Sequence, residues 1–389
     1  MMTSNPSPVH TAWIGFATLA FSMGIGRFAF TPILPIMQAE GLVSIGEGGL
    51  LASVHFVGYA MGAWLAGRLT SSPRTLLFAS LISIALSTIA MGLTNINAVW
   101  LLARWIAGLC SAFVLVIVST YVVKHLAELG RADLQGGVFA GVGGGTALAG
   151  FACLGMMALA TASWLIWLLL GLATLAAAAV LFATICGRLF ERANDAGTDG
   201  DRRASLAWHL VIPYGAMGAG YIIPATYLPI MAQQSISSPL LFGWVWPAFG
   251  TAAALSTLIA ARLHKSYSNR QIWIASQLVM AFGLILPALW PQIVFVTIGG
   301  LCVGGTFMVI TMAGLKEAHQ ITGAASTQHQ IAAMTTAFAL GQIIGPLLAG
   351  WAYDIMQSFT YPLLLGGIIL VISLAPMLTS TETSDRPIA

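Results

Sequence analysis

The sequence predicts an all-α integral membrane protein, with twelve transmembrane helices arranged as two pseudo-symmetric six-helix bundles. Three observations predict this fold class. Hydrophobic residues make up 58% of the 389 residues and charged residues only 7%, against roughly 25% charged residues in an average soluble domain. The apolar residues fall into twelve long segments, and the first and second halves of the chain repeat one another.

The twelve apolar segments are each long enough to cross a hydrocarbon core of about 30 Å as a helix. Helix is expected because every backbone polar group in lipid needs a partner within its own segment. The predicted spans lie at residues 11–37, 44–67, 75–94, 98–123, 134–158, 163–187, 207–231, 240–261, 270–290, 292–315, 329–352 and 361–380.

The longest polar stretch, GRLFERANDAGTDGDRRASL, follows the sixth span and divides the spans into six plus six. It predicts an N-terminal six-helix bundle at residues 1–187, a cytoplasmic linker at 188–206 and a C-terminal six-helix bundle at 207–389. The first apolar run is longer than a signal peptide and has no Lys or Arg before it. We therefore expect it to be retained as the first span.

The basic residues of the predicted loops set the orientation in the membrane. With the N-terminus in the cytoplasm, thirteen Lys and Arg residues fall on the cytoplasmic side and none on the outer side. We therefore predict a multi-pass protein with both termini in the cytoplasm. These residues are Arg68, Arg74, Lys124, Arg131, Arg188, Arg192, Arg202, Arg203, Arg262, Lys265, Arg270, Lys316 and Arg386.

The two halves repeat one another most clearly in their first spans. GIGRFAFTPILPIM at residues 24–37 aligns with GAGYIIPATYLPIM at 218–231, an offset of 194 residues. Both copies keep two glycines and end in Leu-Pro-Ile-Met. Two parallel six-helix repeats are typical of transporters whose site lies at the bilayer midplane between the halves. Glycine and proline in both copies predict helices that are broken or kinked there.

The chain resembles the major facilitator superfamily (MFS) over essentially its whole length. RWIAGLCSA at 104–112 is similar to the Arg and Gly motif of that superfamily's fourth span, and GQIIGPLLAG at 341–350 is similar to its Gly-Pro antiporter-type motif. The loop motif AWLAGRLTSSPR departs from the family pattern, since Gly67 stands where an Asp is usual. GIGRFAFTPILPIM and ATYLPIMA further resemble the YbfB/YjiJ-type bacterial branch. The resemblance implies the MFS fold, alternating access and a bacterial cytoplasmic (inner) membrane.

Arg27 is the first candidate for substrate binding. A charged side chain at the bilayer midplane costs at least about 2.5 kcal/mol on insertion scales, so it should face a cavity or a partner. The acidic residues, Glu317 among them, fall at predicted span ends, which leaves a substrate anion as the natural counter-charge. The alternative is a structural arginine paired with helix carbonyls inside the bundle. Tyr221, the repeat equivalent of Arg27, offers a hydroxyl donor or an aromatic face.

Aromatic residues from several spans are expected to line the same cavity, which would suit an aromatic or branched acid. The alternative for each of them is a core or lipid-facing role. The candidates beside Arg27 and Tyr221 are Phe30, Tyr59, Tyr227, Trp246 and Phe307.

Three residues are candidates for coupling or gating. His55, placed well inside the second span, could carry a coupling proton because an unperturbed imidazole titrates near pH 6.5; the alternative is a hydrogen-bonded packing histidine. Arg104 either contacts the substrate or bonds carbonyls inside the first bundle, and the family pattern favours the second. His329, at the start of the eleventh span, is a candidate gate residue.

These residues predict a secondary active transporter of a small organic anion, a carboxylate or similar, with Arg27 as its charge partner. The alternative is a multidrug or metabolite efflux proton antiporter for neutral or amphipathic compounds. No enzyme motif or nucleotide-binding loop is present in the sequence, so we predict no catalytic residue, metal or cofactor. The expected partners are a small molecule, protons in one coupling mode and the lipid bilayer, but no nucleic acid. We expect a monomer.

Overall fold

The computed structural model describes residues 7–66, 72–185, 206–236, 238–263, 266–321 and 324–379. The predicted linker lies outside these ranges, except for its last residue, Leu206. Seven of the basic residues used for orientation also lie outside them: Arg68, Arg188, Arg192, Arg202, Arg203, Lys265 and Arg386.

Twelve long helices make up most of the described chain, and each begins and ends within six residues of its predicted span. Ten of them are long and apolar enough to cross a membrane. They are α1 Pro8–Ala39, α2 Ile45–Ala66, α3 Pro73–Leu93, α4 Asn97–Glu128, α5 Ala132–Ala158, α6 Ser163–Thr184, α7 Trp208–Ser235, α8 Val245–Leu263, α9 Asn269–Leu289, α10 Ile293–Ile321, α11 Ala324–Met356 and α12 Thr360–Thr379.

The same helix pairs pack together in both halves, which confirms the predicted pseudo-symmetry. In the first half α1 packs on α5, α2 on α4 and α3 on α6. The equivalent pairs of the second half, α7 with α11, α8 with α10 and α9 with α12, pack in the same way. Below, the side at which Pro8 lies is called the near side, and the side at which Ala39 lies is called the far side.

The first helix is interrupted at the residues that the repeat singles out. Its backbone winds as a π-helix over Ala20–Ile25, passes through a turn and resumes as an α-helix at Phe30–Ala39. The wide winding is visible in the bonds from Gly26 N to Phe21 O and from Phe28 N to Met23 O, each 3.1 Å long. Since the α-helix restarts just before Pro32, that proline falls in its first turn, where the missing N–H is tolerated.

The helix α7, by contrast, runs as one continuous helix through Pro213, Pro224 and Pro229. The prediction of broken or kinked helices is therefore confirmed by the interruption in the first half, whereas the second half keeps one continuous helix. The two glycines and the proline of Leu-Pro-Ile-Met are shared by the two copies, so these residues do not set the break by themselves. The interruption exposes backbone carbonyls around Arg27, and the site described below uses one of them.

Two close helix pairs join the halves, α5 with α8 and α2 with α11. In both pairs a glycine allows the two helix backbones to come into direct contact. A methyl group on Gly143 of α5 would lie 2.2 Å from the backbone nitrogen of Ala254, and one on Gly49 of α2 would lie 2.7 Å from the carbonyl oxygen of Pro346. These contacts are shorter than any side chain permits, so the two seams depend on bare backbone.

A third contact between the halves lies along the repeat axis itself. The Thr31 hydroxyl donates to the carbonyl oxygen of Ala225 at 2.6 Å. Thr31 and Ala225 are 194 residues apart, which is the repeat offset, so each residue touches its own equivalent. Equivalent residues can meet in this way only beside the pseudo-two-fold axis. The far-side half of α1 is thereby bound to α7.

Gly143→Ala should lower the stability of the fold, because its methyl group would collide with the backbone of α8. Overpacking of this kind costs about 1–3 kcal/mol. Thermal unfolding of the purified protein, followed by tryptophan fluorescence, measures the change. Gly137→Ala is the control in the same helix, since its methyl group would meet no atom within 4 Å. Equal shifts of the unfolding temperature in the two variants would contradict close packing between α5 and α8.

Candidate functional site

Arg27 lies in the turn that interrupts α1, and only 5% of it is exposed. Its Nη2 atom donates a hydrogen bond to the hydroxyl of Tyr221 in the other half. Its Cζ atom lies 4.9 Å from the ring centroids of Phe28 and Phe56 and 5.0 Å from that of Tyr59. Three ring faces at this distance attract the cation. The interruption of α1 therefore places a guanidinium group in an aromatic cage at the interface of the halves.

No carboxylate of the described residues lies within ion-pair distance, 4.0 Å, of Arg27. The acidic side chains of the first half are engaged elsewhere. Glu40 accepts from the backbone nitrogen of Ser163 at 2.7 Å and caps α6, and Asp133 pairs with Arg131 at 2.9 Å. The positive charge of Arg27 is thus balanced only by a hydroxyl oxygen and the faces of aromatic rings, as far as the described chain goes.

Tyr221 is fully buried and is held by a stack of three parallel rings. Phe307 stacks on one side at 5.2 Å and Phe338 on the other at 5.7 Å, with interplanar angles of 3° and 5°. The side-chain amide of Gln342, also fully buried, donates to the same hydroxyl. Tyr221 therefore connects an arginine of α1 with a glutamine of α11 through one oxygen atom.

The aromatic surface continues from Arg27 toward α8. Phe28 lies 6.2 Å from the Trp246 ring and 6.1 Å from Phe307, and Trp246 stacks on Phe249 at 4.8 Å. The indole nitrogen of Trp246 is buried and has no hydrogen-bond partner in the described chain. We use the name central cluster for the six residues Arg27, Phe28, Tyr221, Trp246, Phe307 and Gln342.

Arg104 and Phe30 lie inside the first half rather than in the central cluster. The Nη1 atom of Arg104 donates to the carbonyl oxygen of Gly26 at 3.4 Å, and its Cζ atom lies 4.7 Å from the Phe30 ring. Phe30 in turn stacks on Trp167 at 6.4 Å. Of the two interpretations of Arg104, the geometry matches the one in which it bonds a carbonyl, here beside the interruption of α1.

His55 is fully buried on α2, one turn from Tyr59, and its ring lies 5.4 Å from Phe56 edge to face. Neither ring nitrogen has a hydrogen-bond partner among the described residues. Its ring also lies beside the backbone of Arg104, so the packing role of His55 stays open as well. His55 stays a candidate for proton coupling.

Tyr227 and His329 lie away from the central cluster. The Tyr227 hydroxyl donates to the carbonyl oxygen of Pro346 at 2.8 Å, at the far-side seam of α2, α7 and α11. His329 is exposed near the start of α11, where the neighbouring Gln330 bonds Ala207 N at 2.8 Å within the second half. Tyr227 thus stabilises a closed seam, and the contacts of its region explain its burial without a ligand.

Glu317 corrects one expectation about the acidic residues. The sequence placed it at a solvated end of the tenth span, but it lies inside α10 and is only 3% exposed. The helix α10 extends to Ile321, six residues beyond the predicted end at 315, so four further residues follow Glu317. Tertiary packing at the near side buries it.

Four residues around Arg27 and Tyr221 were absent from the predicted set: Phe28, Phe56, Gln342 and Phe338. Gln342 is the one amide in the stretch GQIIGPLLAG, and a lone polar side chain within an apolar span is a usable signal for a site. Phe338 carries no such signal, because apolar spans contain many phenylalanines. Only the packing of α7 against α11 shows which ring stacks on Tyr221.

Comparison with known proteins identifies the family of this fold. The family model described as "Uncharacterised MFS-type transporter YbfB" matches residues 19–378. The chain belongs to the YbfB-type family of the major facilitator superfamily. This confirms the resemblance drawn from its motifs. The YbfB-type chain is thus a multi-pass membrane protein and a secondary transporter, not an enzyme.

One curated relative of this YbfB-type transporter is the "Uncharacterized MFS-type transporter YceJ" of Bacillus subtilis (strain 168). The two are 31% identical over 104 residues, and the match spans only 26% of each chain. It covers too little of the relative to carry an activity across.

Two solved transporters share the fold. A bacterial homologue of the human lysosomal transporter Spinster, in an inward-facing and occupied conformation, matches with a TM-score of 0.72, 14% identity and coverage of 96% and 97% of the two chains. A mutant of the nucleoside transporter NupG matches with a TM-score of 0.70, 12% identity and coverage of 94% and 99%. At these identities the likeness shows the fold alone.

Tyr221→Phe should destabilise the ligand-free YbfB-type transporter by about 1–3 kcal/mol, because it leaves donors of Arg27 and Gln342 buried without their acceptor. Thermal unfolding of the purified protein measures the loss. Tyr361→Phe is the control, since Tyr361 is 63% exposed. If both variants unfold at the same temperature, the Tyr221 hydroxyl does not stabilise the central cluster.

Proposed function

We propose that the protein is a secondary active transporter of a small organic anion, bound between the two halves with Arg27 as its charge partner. The observation that carries the proposal is a buried guanidinium at the interface with no carboxylate partner in the described chain. A buried charge without a counter-ion is costly, and an incoming anion supplies one. Arginine suits carboxylate because its planar fork of donors matches two oxygens.

The surroundings of Arg27 support an acid with an apolar body. Phe28, Trp246 and Phe307 present ring surfaces beside the guanidinium, and all three are buried. Sites for small organic ligands combine such apolar walls with a few placed polar groups. A branched or aromatic acid would bury its apolar part on these rings while its carboxylate meets Arg27.

The places where the two halves touch support the proposal of alternating access. At the far side, Gly46 of α2 packs on Asp354 of α11, and Thr31 bonds Ala225. Further toward the near side α2 and α11 each pack on their own half, since Gly62 of α2 packs on Leu109 and Gly341 of α11 packs on Ala219. We infer a conformation sealed at the far side, from which the halves rock about the α5 and α8 seam to release the far-side contacts.

The near side is assigned to the cytoplasm of a bacterial inner membrane, because the six basic residues used for orientation that the structure describes all lie at that side. They are Arg74, Lys124, Arg131, Arg262, Arg270 and Lys316. Proton symport would use His55 as the titrating group, whereas anion exchange would need none. Both modes are compatible with an anion at Arg27. We further propose that one chain is the working unit, since both halves contribute to the central cluster.

Arg27→Ala should reduce carboxylate uptake by about 10- to 100-fold, the effect of losing hydrogen bonds to a charged partner. Uptake of a panel of small radiolabelled carboxylates into proteoliposomes measures it. Arg27→Lys keeps the positive charge but loses the planar set of donors of the guanidinium group. Its carboxylate uptake should therefore lie between that of the native protein and that of Arg27→Ala. Arg131→Ala is the control, because Arg131 is exposed and paired with Asp133.

Unchanged carboxylate uptake in Arg27→Ala, or strong efflux of cationic dyes by the native protein, would contradict the proposal. Efflux of neutral amphipathic dyes that does not depend on Arg27 would favour the multidrug or metabolite efflux alternative. The aromatic surface around Trp246 is compatible with such compounds as well. The dependence of transport on the charge of Arg27 therefore distinguishes the two functions.

The orientation is tested by single cysteines in a variant without Cys110, Cys153, Cys186 and Cys302. Ser72→Cys lies in an exposed near-side loop and Asn95→Cys in an exposed far-side loop. In intact cells a membrane-impermeant maleimide should label Asn95→Cys alone, because the near side faces the cytoplasm. Labelling of Ser72→Cys alone would place the protein the other way round.

A further inference from the structure

The central cluster contains a set of hydrogen-bonding groups that the protein leaves open. The Tyr221 oxygen accepts one bond from Arg27 and one from Gln342, which uses its acceptor capacity. Its own O–H hydrogen is then left to donate elsewhere, and no described residue accepts it. The Tyr221 hydroxyl therefore has one donor that neither Arg27 nor Gln342 uses.

Two further atoms at the same place lack partners. Arg27 Nε, a donor, and Gln342 Oε1, an acceptor, are both buried without a hydrogen bond in the described chain. Arg27 is 5% exposed, and Gln342 and Tyr221 are not exposed at all. Because the side chains of Arg27 and Gln342 both bond one oxygen, their bonding nitrogens lie within about 6 Å of each other.

Open groups of this kind are uncommon in protein interiors and cost free energy unless a partner reaches them. Here they make a defined pattern: two donors, Arg27 Nε and the Tyr221 hydroxyl, and one acceptor, Gln342 Oε1. A carboxylate satisfies the two donors, since it only accepts. The acceptor, Gln342 Oε1, requires in addition a hydrogen-bond donor on the ligand, close to its carboxylate.

The charge of Arg27 decides which donor that is. An ammonium group beside the carboxylate would lie near the guanidinium, and like charges in a buried site repel strongly. A hydroxyl group donates without adding charge. On the carbon next to the carboxylate it can reach the amide oxygen while the carboxylate stays on Arg27 and Tyr221.

We propose that the central cluster recognises a 2-hydroxy acid, with Gln342 bonding the hydroxyl group next to the carboxylate. This inference rests on the proposed anion transport and narrows its substrate class. The apolar remainder of the acid packs on Phe28, Trp246 and Phe307. Gln342 is thus a specificity-determining residue, and Arg27 provides affinity for any small carboxylate.

The test compares acids that differ by one hydroxyl group. Titration calorimetry of the purified full-length protein is run with mandelate against phenylacetate, and with 2-hydroxyisocaproate against 4-methylpentanoate. The native protein should bind the hydroxy acid of at least one pair about tenfold more tightly, the worth of one well-formed hydrogen bond. Equal affinities within both pairs would overturn the inference.

Gln342→Leu should bind the hydroxy acid and its parent acid equally, because it removes the acceptor. Gln342→Met is a second variant of similar length, should the leucine variant fail to fold. Gln277→Leu is the matched control: Gln277 is also fully buried, but it is bonded to Trp273, Leu370 and Ser373 within the second half. The control should keep the tenfold preference, and a preference that survives in Gln342→Leu and Gln342→Met would overturn the role of Gln342.

The two proposals fail in different ways. If both acids of a pair bind equally and both depend on Arg27, anion binding stands and the 2-hydroxy preference is wrong. If no acid in either pair binds, or binding is unchanged in Arg27→Ala, the proposed anion transport itself is wrong. A mandelate affinity that falls to the level of phenylacetate in Gln342→Leu, while the affinity for phenylacetate is unchanged, supports both.

Discussion

A guanidinium cation buried between two halves of a membrane protein is the constraint on which the site depends. Arg27 has a tyrosine hydroxyl and three aromatic faces around it, and no described carboxylate. Such partners attract a cation but do not neutralise it. Among the described residues, the positive charge of Arg27 is therefore left without a counter-ion, and the proposed anion would supply one. Under that proposal the loaded carrier would differ electrostatically from the empty one, so binding could shift the balance between its conformations.

The scaffold places this charge through backbone rather than through side chains. The π-helical winding before Arg27 interrupts α1, and a carbonyl of the resulting turn accepts a hydrogen bond from Arg104. Bare glycine backbone brings α5 against α8 and α2 against α11. Along the repeat axis, Arg27 meets Tyr221 and Thr31 meets Ala225, each with its own equivalent. The pseudo-symmetry of the scaffold thus aligns two residues whose chemistry is different, a cation and a phenol.

Much of the fold was accessible from composition and pattern. The twelve helices and the six-plus-six repeat follow from apolar length and from residues matched between the halves, and the transporter family follows from the resemblance of its motifs. Arg27, Tyr221, Tyr59, Trp246 and Phe307 were chosen as unusual or aromatic residues in interface spans, and the structure brings them together. Phe30 and Tyr227, chosen on the same grounds, pack into a bundle core and a far-side seam instead. Residue type alone does not distinguish these outcomes, because all of these rings are buried.

The sequence by itself determined that helices must cross the membrane, how many there are and that one carries a charge with no acid in the same stretch. These properties are local, since hydrocarbon forces each segment to satisfy its own backbone and makes an internal arginine conspicuous. Only the tertiary structure decided the partners of that charge. Helix α1 breaks and α7 does not, although both carry the same two glycines and the same Leu-Pro-Ile-Met sequence. Gln342 reaches Tyr221 only because α11 packs on α7. Hydrogen bonds between helices depend on rotation and depth set by packing across the whole bundle, and no single segment encodes them.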